Sequence, residues 1–136
     1  IIGEINPTSA LINQSGELII NIARDGHFYL NATVNNSPMR FMIDTGASDI
    51  AISLKEAARV GLNTDNLIFN IPYQTANGVS WGAKVTLKEM EIGNFLFYDV
   101  SASVNNADMG TSLLGMSFLK KFHKYEFYRD KLVLTP

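Results

Sequence analysis

Apolar residues recur along this chain in short alternating runs broken by turn residues, a period that belongs to strands rather than helices. Residues 18–24 and 27–34 flank Asp25-Gly26, a strong two-residue hairpin signal. Residues 35–38 read as a turn and residues 39–43 as a short buried strand. A second hairpin is expected around Asn77-Gly78, with arms at residues 71–76 and 79–92. Further strands are expected at residues 95–104, 124–128 and 132–135, with turns at Gly93-Asn94 and residues 129–131. One helix has a clear start. Ser53 followed by Glu56 makes a capping box, Ala57, Ala58 and Val60 continue it, and Gly61 is a left-handed stop. A second helical stretch is expected at residues 117–122. Many short strands at such intervals predict an all-β fold, a small barrel or sandwich. Residues 1–15 lack a pattern and read as an N-terminal arm, leaving residues 16–136 as a single domain.

Composition narrows the chemistry. The 136 residues suit one domain, and 11 basic against 13 acidic side chains leave a net charge of −2. That balance offers no footprint for nucleic acid and no basic run for an anionic membrane surface. There is no Cys, hence no thiol nucleophile and no thiolate metal site. The two His, His27 and His123, argue against a structural zinc site, and no cofactor is expected. No apolar run approaches the ~18 residues that span a bilayer, so this segment itself is expected to be soluble, with no membrane contact of its own. The chain begins with Ile1 rather than Met, which suggests a processed or truncated piece with any signal or anchor upstream.

The informative segment is residues 41–53, Phe-Met-Ile-Asp-Thr-Gly-Ala-Ser-Asp-Ile-Ala-Ile-Ser. Asp44 ends a buried apolar run, Gly46 lets the chain turn, and apolar residues resume at Ile50 and Ile52. A carboxylate framed in this way is partly desolvated, unlike one on a solvated loop. By chance, Asp-Thr-Gly occurs in about 3% of chains this long at average residue usage. The triplet alone therefore also fits a plain turn cap.

Three segments together resemble the retropepsin-like aspartic proteases: Asp44-Thr45-Gly46-Ala47-Ser48, the hairpin around Thr75-Ala76-Asn77-Gly78, and Leu113-Leu114-Gly115 followed by a short helix. The stretch from Asp25-Gly26-His27-Phe28 to Ser53 is most similar to a bacterial branch with an N-terminal membrane anchor, represented in rickettsiae. The resemblance implies a small closed barrel of the acid-protease type and a homodimer that hydrolyses extended peptides. It implies a whole protein anchored in a bacterial cell envelope. Carboxylate-pair hydrolysis needs two Asp about 3 Å apart sharing one proton, because like charges that close cannot both ionise. One Asp-Thr-Gly per chain supplies half a pair, so two chains must meet at a twofold axis.

The resemblance further implies roles for the neighbours. The Thr45 hydroxyl reaches the opposite subunit's loop, and Gly46 permits close approach and donates its amide to a carboxylate. Ala47, Ser48 and Asp49 line the cleft and engage the substrate backbone. The Asn77-Gly78 hairpin becomes a flap, with Tyr73 and Trp81 as hydrophobic wall and Thr75, Ala76, Asn77 and Gly78 meeting the peptide. If Asn77 and Gly78 are the central turn residues, Thr75 lies opposite Ser80 and Gln74 opposite Trp81. The plain alternatives are a turn hydroxyl for Thr45, packing for Ala47, a solvated charge for Asp49 and a structural hairpin with Trp81 in the core. One departure stands out. Retroviral relatives follow the Leu-Leu-Gly glycine with an Arg that pairs with an Asp in the catalytic loop, whereas here Met116-Ser117 and Ser48 hold those places. Two rival readings remain: a non-catalytic dimerisation or peptide-binding module of the same fold, and an unrelated β-barrel with a coincidental triplet.

Overall fold

The computed structural model describes residues 11–75, 78–107 and 110–136, which form eleven strands and two short helices. Six strands close on themselves. They are β3 (Tyr29–Val34), β4 (Ser37–Ile43), β9 (Ser112–Leu114), β5 (Ile50–Ser53), β8 (Phe95–Asn105) and β7 (Gly78–Ile92), in that order, and the β3–β7 pairing completes the ring. β6 (Ile71–Thr75) extends from β7 as the outer arm of a hairpin. A separate four-stranded sheet runs β1 (Leu11–Ile12), β2 (Leu18–Asn21), β11 (Lys131–Thr135) and β10 (Lys124–Phe127). The expected closed all-β barrel is the observed one.

Period-2 burial drives the closure. On β3, Leu30, Ala32 and Val34 point inward while Asn31 is exposed, and on β4, Met39, Phe41 and Ile43 do the same. Ile50, Ile52, Leu87, Leu114 and Phe118 complete the interior, all with no exposed surface. Each such side chain contributes about 1.5–3 kcal/mol on burial. Phe118, Phe97, Phe122 and Phe95 pack edge to face beneath the barrel, ring centroids 5.4–6.1 Å apart.

The long pair β7–β8 carries a change of face. Between Leu87↔Val100 and Glu89↔Tyr98 the buried positions of β7 switch from Ala83 and Leu87 to Met90 and Ile92. Asp99 sits at that point with φ +51°, a left-handed conformation that re-aims the pleat.

Helix α1 (Leu54–Arg59) forms where expected. The Ser53 Oγ accepts the Glu56 amide at 3.3 Å, and Gly61 follows with φ +84°. Glu56 and Arg59 pair at 2.8 Å, and Arg59 also donates to the Pro38 carbonyl, tying the helix to β4. Helix α2 (Met116–Leu119) starts one residue earlier than expected and ends three earlier.

Three local expectations change. Residues 18–24 and 27–34 do not pair as a hairpin: β2 lies between β1 and β11, and β3 between β4 and β7. Leu18 and Ile20 gain full burial against Leu132 and Leu134, which a two-stranded ribbon could not provide. The turn itself survives as a three-residue loop in which Gly26 (φ +87°) donates to Ala23 and Ala23 donates to His27. The turn at residues 35–38 contracts to Asn35-Asn36, both with positive φ, and Ser37 and Pro38 already belong to β4. Pro38 is tolerated there because β9 pairs only with Phe41–Ile43. Of the expected N-terminal arm, Leu11–Ile12 pair with β2, and the first ten residues lie outside the described residues. No helix among the described residues is long and apolar enough to cross a membrane.

Candidate active site

β4 delivers Asp44 to the open end of the barrel. The Asp44 amide donates to the Leu114 carbonyl at 2.9 Å, so the residue leaves the sheet still tied to β9. The chain then turns tightly. Ala47 donates to the Asp44 carbonyl at 3.1 Å, and the Gly46 amide donates to Asp44 Oδ1 at 2.8 Å. A Cβ at position 46 would stand 3.2 Å from that same oxygen, so glycine allows the close approach. Asp44 is half-buried while Thr45 and Gly46 are exposed, so the carboxylate looks out of the barrel from a rigid loop.

Rigidity comes from below. β9 runs parallel to β4 and antiparallel to β5, filling the gap between the strands that enter and leave the loop. Beyond it, the amides of Gly115, Met116 and Ser117 donate to the carbonyls of Asp49 (3.1 Å), Ala47 (2.9 Å) and Ser48 (2.8 Å). Gly115 has ordinary extended φ and ψ of −96° and −162°, so its backbone angles do not demand glycine. Space does: a Cβ there would lie 2.5 Å from both the Ala47 and the Asp49 carbonyl oxygens. The Asp44 loop and the start of α2 are thus joined through backbone hydrogen bonds.

The loop faces a cleft of about 320 Å³. Asp44, Gly46, Ala47, Ser48 and Asp49 form one side, Tyr73 and Gln74 of β6 the other, and Ala51, Ser103, Asn105 and Leu113 the floor. Thus Tyr73 and the Asp44 loop line one concavity. Trp81 does not line this cleft; it stands on the outer face of the hairpin, 43% exposed, with its amide donating to Asn106 Oδ1. The hairpin register is Thr75↔Gly78, Tyr73↔Ser80 and Pro72↔Trp81, two positions away from the expected one. A shift of two keeps every residue on its expected face. Thr75 and Gly78 therefore close the described ladder, and Ala76 and Asn77 lie outside the described residues.

Gln74, Ala51, Leu113, Ser103 and Asn105 were not among the expected site residues. Ser103 and Asn105 are buried polar groups on a strand that also carries the exposed Asp99 and Ser101, and nothing local distinguishes the buried pair from the exposed one. Their alignment with the loop comes from the parallel pairing Ala51↔Ser103 and Ser53↔Asn105.

A second polar cluster borders the loop. The Ile43 amide donates to the Phe28 carbonyl, so the turn bearing Asp25 lies beside the Asp44 end of β4. The Tyr29 hydroxyl donates to the Asp25 carboxylate and the His27 amide does so at 2.9 Å, and together they hold that carboxyl below its ordinary range. The Arg40 guanidinium caps the Tyr29 ring at 3.8 Å. No grouping of three or more metal-ligating side chains occurs among the described residues.

Comparison with known proteins agrees with this geometry. Residues 30–121 match the family model of the gag-polyprotein putative aspartyl proteases. The crystal structure of a retropepsin-like aspartic protease from Rickettsia conorii superimposes with a TM-score of 0.80 at 44% identity, covering 88% of this chain and 89% of that one. The protease of EIAV, solved with an inhibitor, shares the fold at a TM-score of 0.62 and 12% identity, over 75% of this chain and 93% of that one. An uncharacterized protein of Rickettsia prowazekii (strain Madrid E) is 38% identical over 99% of this chain, which spans 58% of that protein's length. These matches leave no place for an unrelated barrel with a chance triplet: the chain belongs to the retropepsin-like aspartic proteases, the family of the gag-polyprotein aspartyl proteases.

Proposed function

We propose that this chain is one half of a homodimeric aspartic endopeptidase, with Asp44 of each protomer meeting on the twofold axis. The observation that carries the reading is the half-buried Asp44 carboxylate, fixed by the Gly46 amide at the wall of a cleft, with one such motif per chain. Two carboxyls brought to about 3 Å share one proton. The ionised one takes a proton from a water, and the protonated one hydrogen-bonds to the scissile carbonyl and stabilises its developing negative charge. Peptide hydrolysis then proceeds without a covalent enzyme intermediate.

In this reading Thr45, exposed on the loop, locks the two protomers' loops together, and Ala47, Ser48 and Asp49 bind the substrate backbone. The β6–β7 hairpin is the flap that excludes water over an extended, mainly hydrophobic peptide. Residues Thr75 to Gly78 meet that peptide through their backbone. A bell-shaped pH–rate profile on the acid side follows from the shared proton and belongs to the pair. The whole protein is a membrane-anchored bacterial enzyme, and its partition to the membrane fraction tests that placement.

The decisive experiment is peptide hydrolysis by purified protein beside its Asp44→Asn variant. Loss of activity with folding and dimerisation retained supports the enzyme. Equal activity in the variant refutes it, and a chain that stays monomeric even with a hydroxyl-bearing transition-state mimic favours a peptide-binding module.

A further inference from the structure

A hydrogen bond crosses the cleft at its inner end. The Tyr73 hydroxyl, on β6, donates to Ser103 Oγ, on the barrel strand β8, at 3.1 Å. The Cε2 edge of the Tyr73 ring abuts Gly82, where a Cβ would meet Cε2 at 2.5 Å, so the absence of a side chain at 82 is what admits the ring. Ser103 is 1% exposed. Two strand positions along, Asn105 Nδ2 donates to Ser80 Oγ at 3.2 Å, a second tie between the hairpin and β8. β6 is the edge strand of its sheet, bonded by its ladder to β7 alone. Among the described residues, Tyr73 carries the side-chain hydrogen bond that ties the outer arm of the hairpin to the barrel.

We propose that the Tyr73–Ser103 bond over Gly82 is a latch that sets how often the hairpin lifts from the cleft. It rests on the reading of the hairpin as a flap. Tyr73 is a positioning residue: it acts through the seating of the arm and takes no part in proton transfer. The bond is present in the seated hairpin with or without a peptide beneath it, and it is broken in the lifted state through which a peptide passes. Weakening it speeds entry and exit equally and leaves affinity unchanged.

Amide hydrogen exchange in the full chain bearing Asp44→Asn, where self-cleavage cannot interfere, tests this directly. Adding Tyr73→Phe removes the hydroxyl and keeps the ring. Exchange in residues 71–74 and 79–82 is expected to rise about two- to tenfold, the range for one net hydrogen bond, while β3 and β4 keep their protection. Ser103→Ala gives the same rise, and combining the two adds nothing further. Stopped-flow binding of an extended octapeptide, followed through Trp81, the single tryptophan, is expected to show association and dissociation faster by the same factor with Kd within about twofold. Unchanged exchange in the hairpin overturns the latch, as does a rise spread evenly over the barrel, which marks plain destabilisation. A changed Kd at constant association rate overturns it too, because Tyr73 is then a peptide contact. If no octapeptide binds, the enzyme reading fails, and the exchange result still decides the latch.

Discussion

Replacing Gly115 by Ala adds one methyl group, and the structure fixes where it goes. It would lie 2.5 Å from the Ala47 and Asp49 carbonyl oxygens and 2.8 Å from the Ala47 carbonyl carbon, against about 3.5 Å for comfortable contact. All three atoms are backbone, so no side chain can swing aside. The loop or the start of α2 must move, which stretches the Gly115→Asp49 and Met116→Ala47 hydrogen bonds. Overpacking costs about 1–3 kcal/mol, and two weakened bonds about 0.5–1.5 kcal/mol each, for a total of about 2–6 kcal/mol. For a chain of 136 residues the unfolding entropy is about 0.29 kcal/mol/K, so a loss of 3 kcal/mol lowers Tm by about 10 °C. Thermal unfolding followed by circular dichroism measures this. Because φ and ψ at 115 suit alanine, a Tm within about 2 °C of the parent would refute the steric argument, with no backbone strain left to explain a loss.

Phe118→Ala removes a fully buried ring of the four-ring cluster, the one packed on Phe97 and Phe122, and should cost about 3–5 kcal/mol in urea unfolding. Ser53→Ala removes the α1 cap and should cost about 1 kcal/mol, with Thr at that position restoring most of it. Asp25 makes an acid-limb prediction. Its folded carboxyl titrates below the ordinary 3.8, so its contribution is present above that pH and is lost as the pH falls through the lower folded value. Asp25→Asn should therefore lower stability at neutral pH and flatten the loss below pH 3.8, and a variant with the parent's full acid slope would contradict the assignment.

Much of the site is local in sequence and was readable there. A carboxylate after an apolar strand, a glycine two residues on, and renewed apolar residues at Ile50 and Ile52 describe the Asp44 loop as it stands. So does the Ser53–Glu56 cap, because both partners lie within one turn. What escaped depends on pairings between distant segments. Leu18–Asn21 beside Asp25-Gly26 has every local mark of a hairpin arm, yet its apolar face is buried against Leu132 and Leu134, more than a hundred residues away. Ser103 and Asn105 acquire meaning only through the parallel pairing of β8 with β5, and Gly115 only through the two carbonyls it lies against. The hairpin register missed by two because turn residues propose a register and the strand ladder settles it.

Mixing chains decides whether each catalytic centre takes one Asp44 from each of two protomers. Wild-type protein is combined with an equal amount of Asp44→Asn chain, allowed to exchange subunits, and assayed on a peptide substrate. If a centre needs both carboxylates, only wild-type pairs work, and activity at fixed total protein falls to about a quarter. A fall to about a half, as a complete site within each chain requires, would contradict the claim.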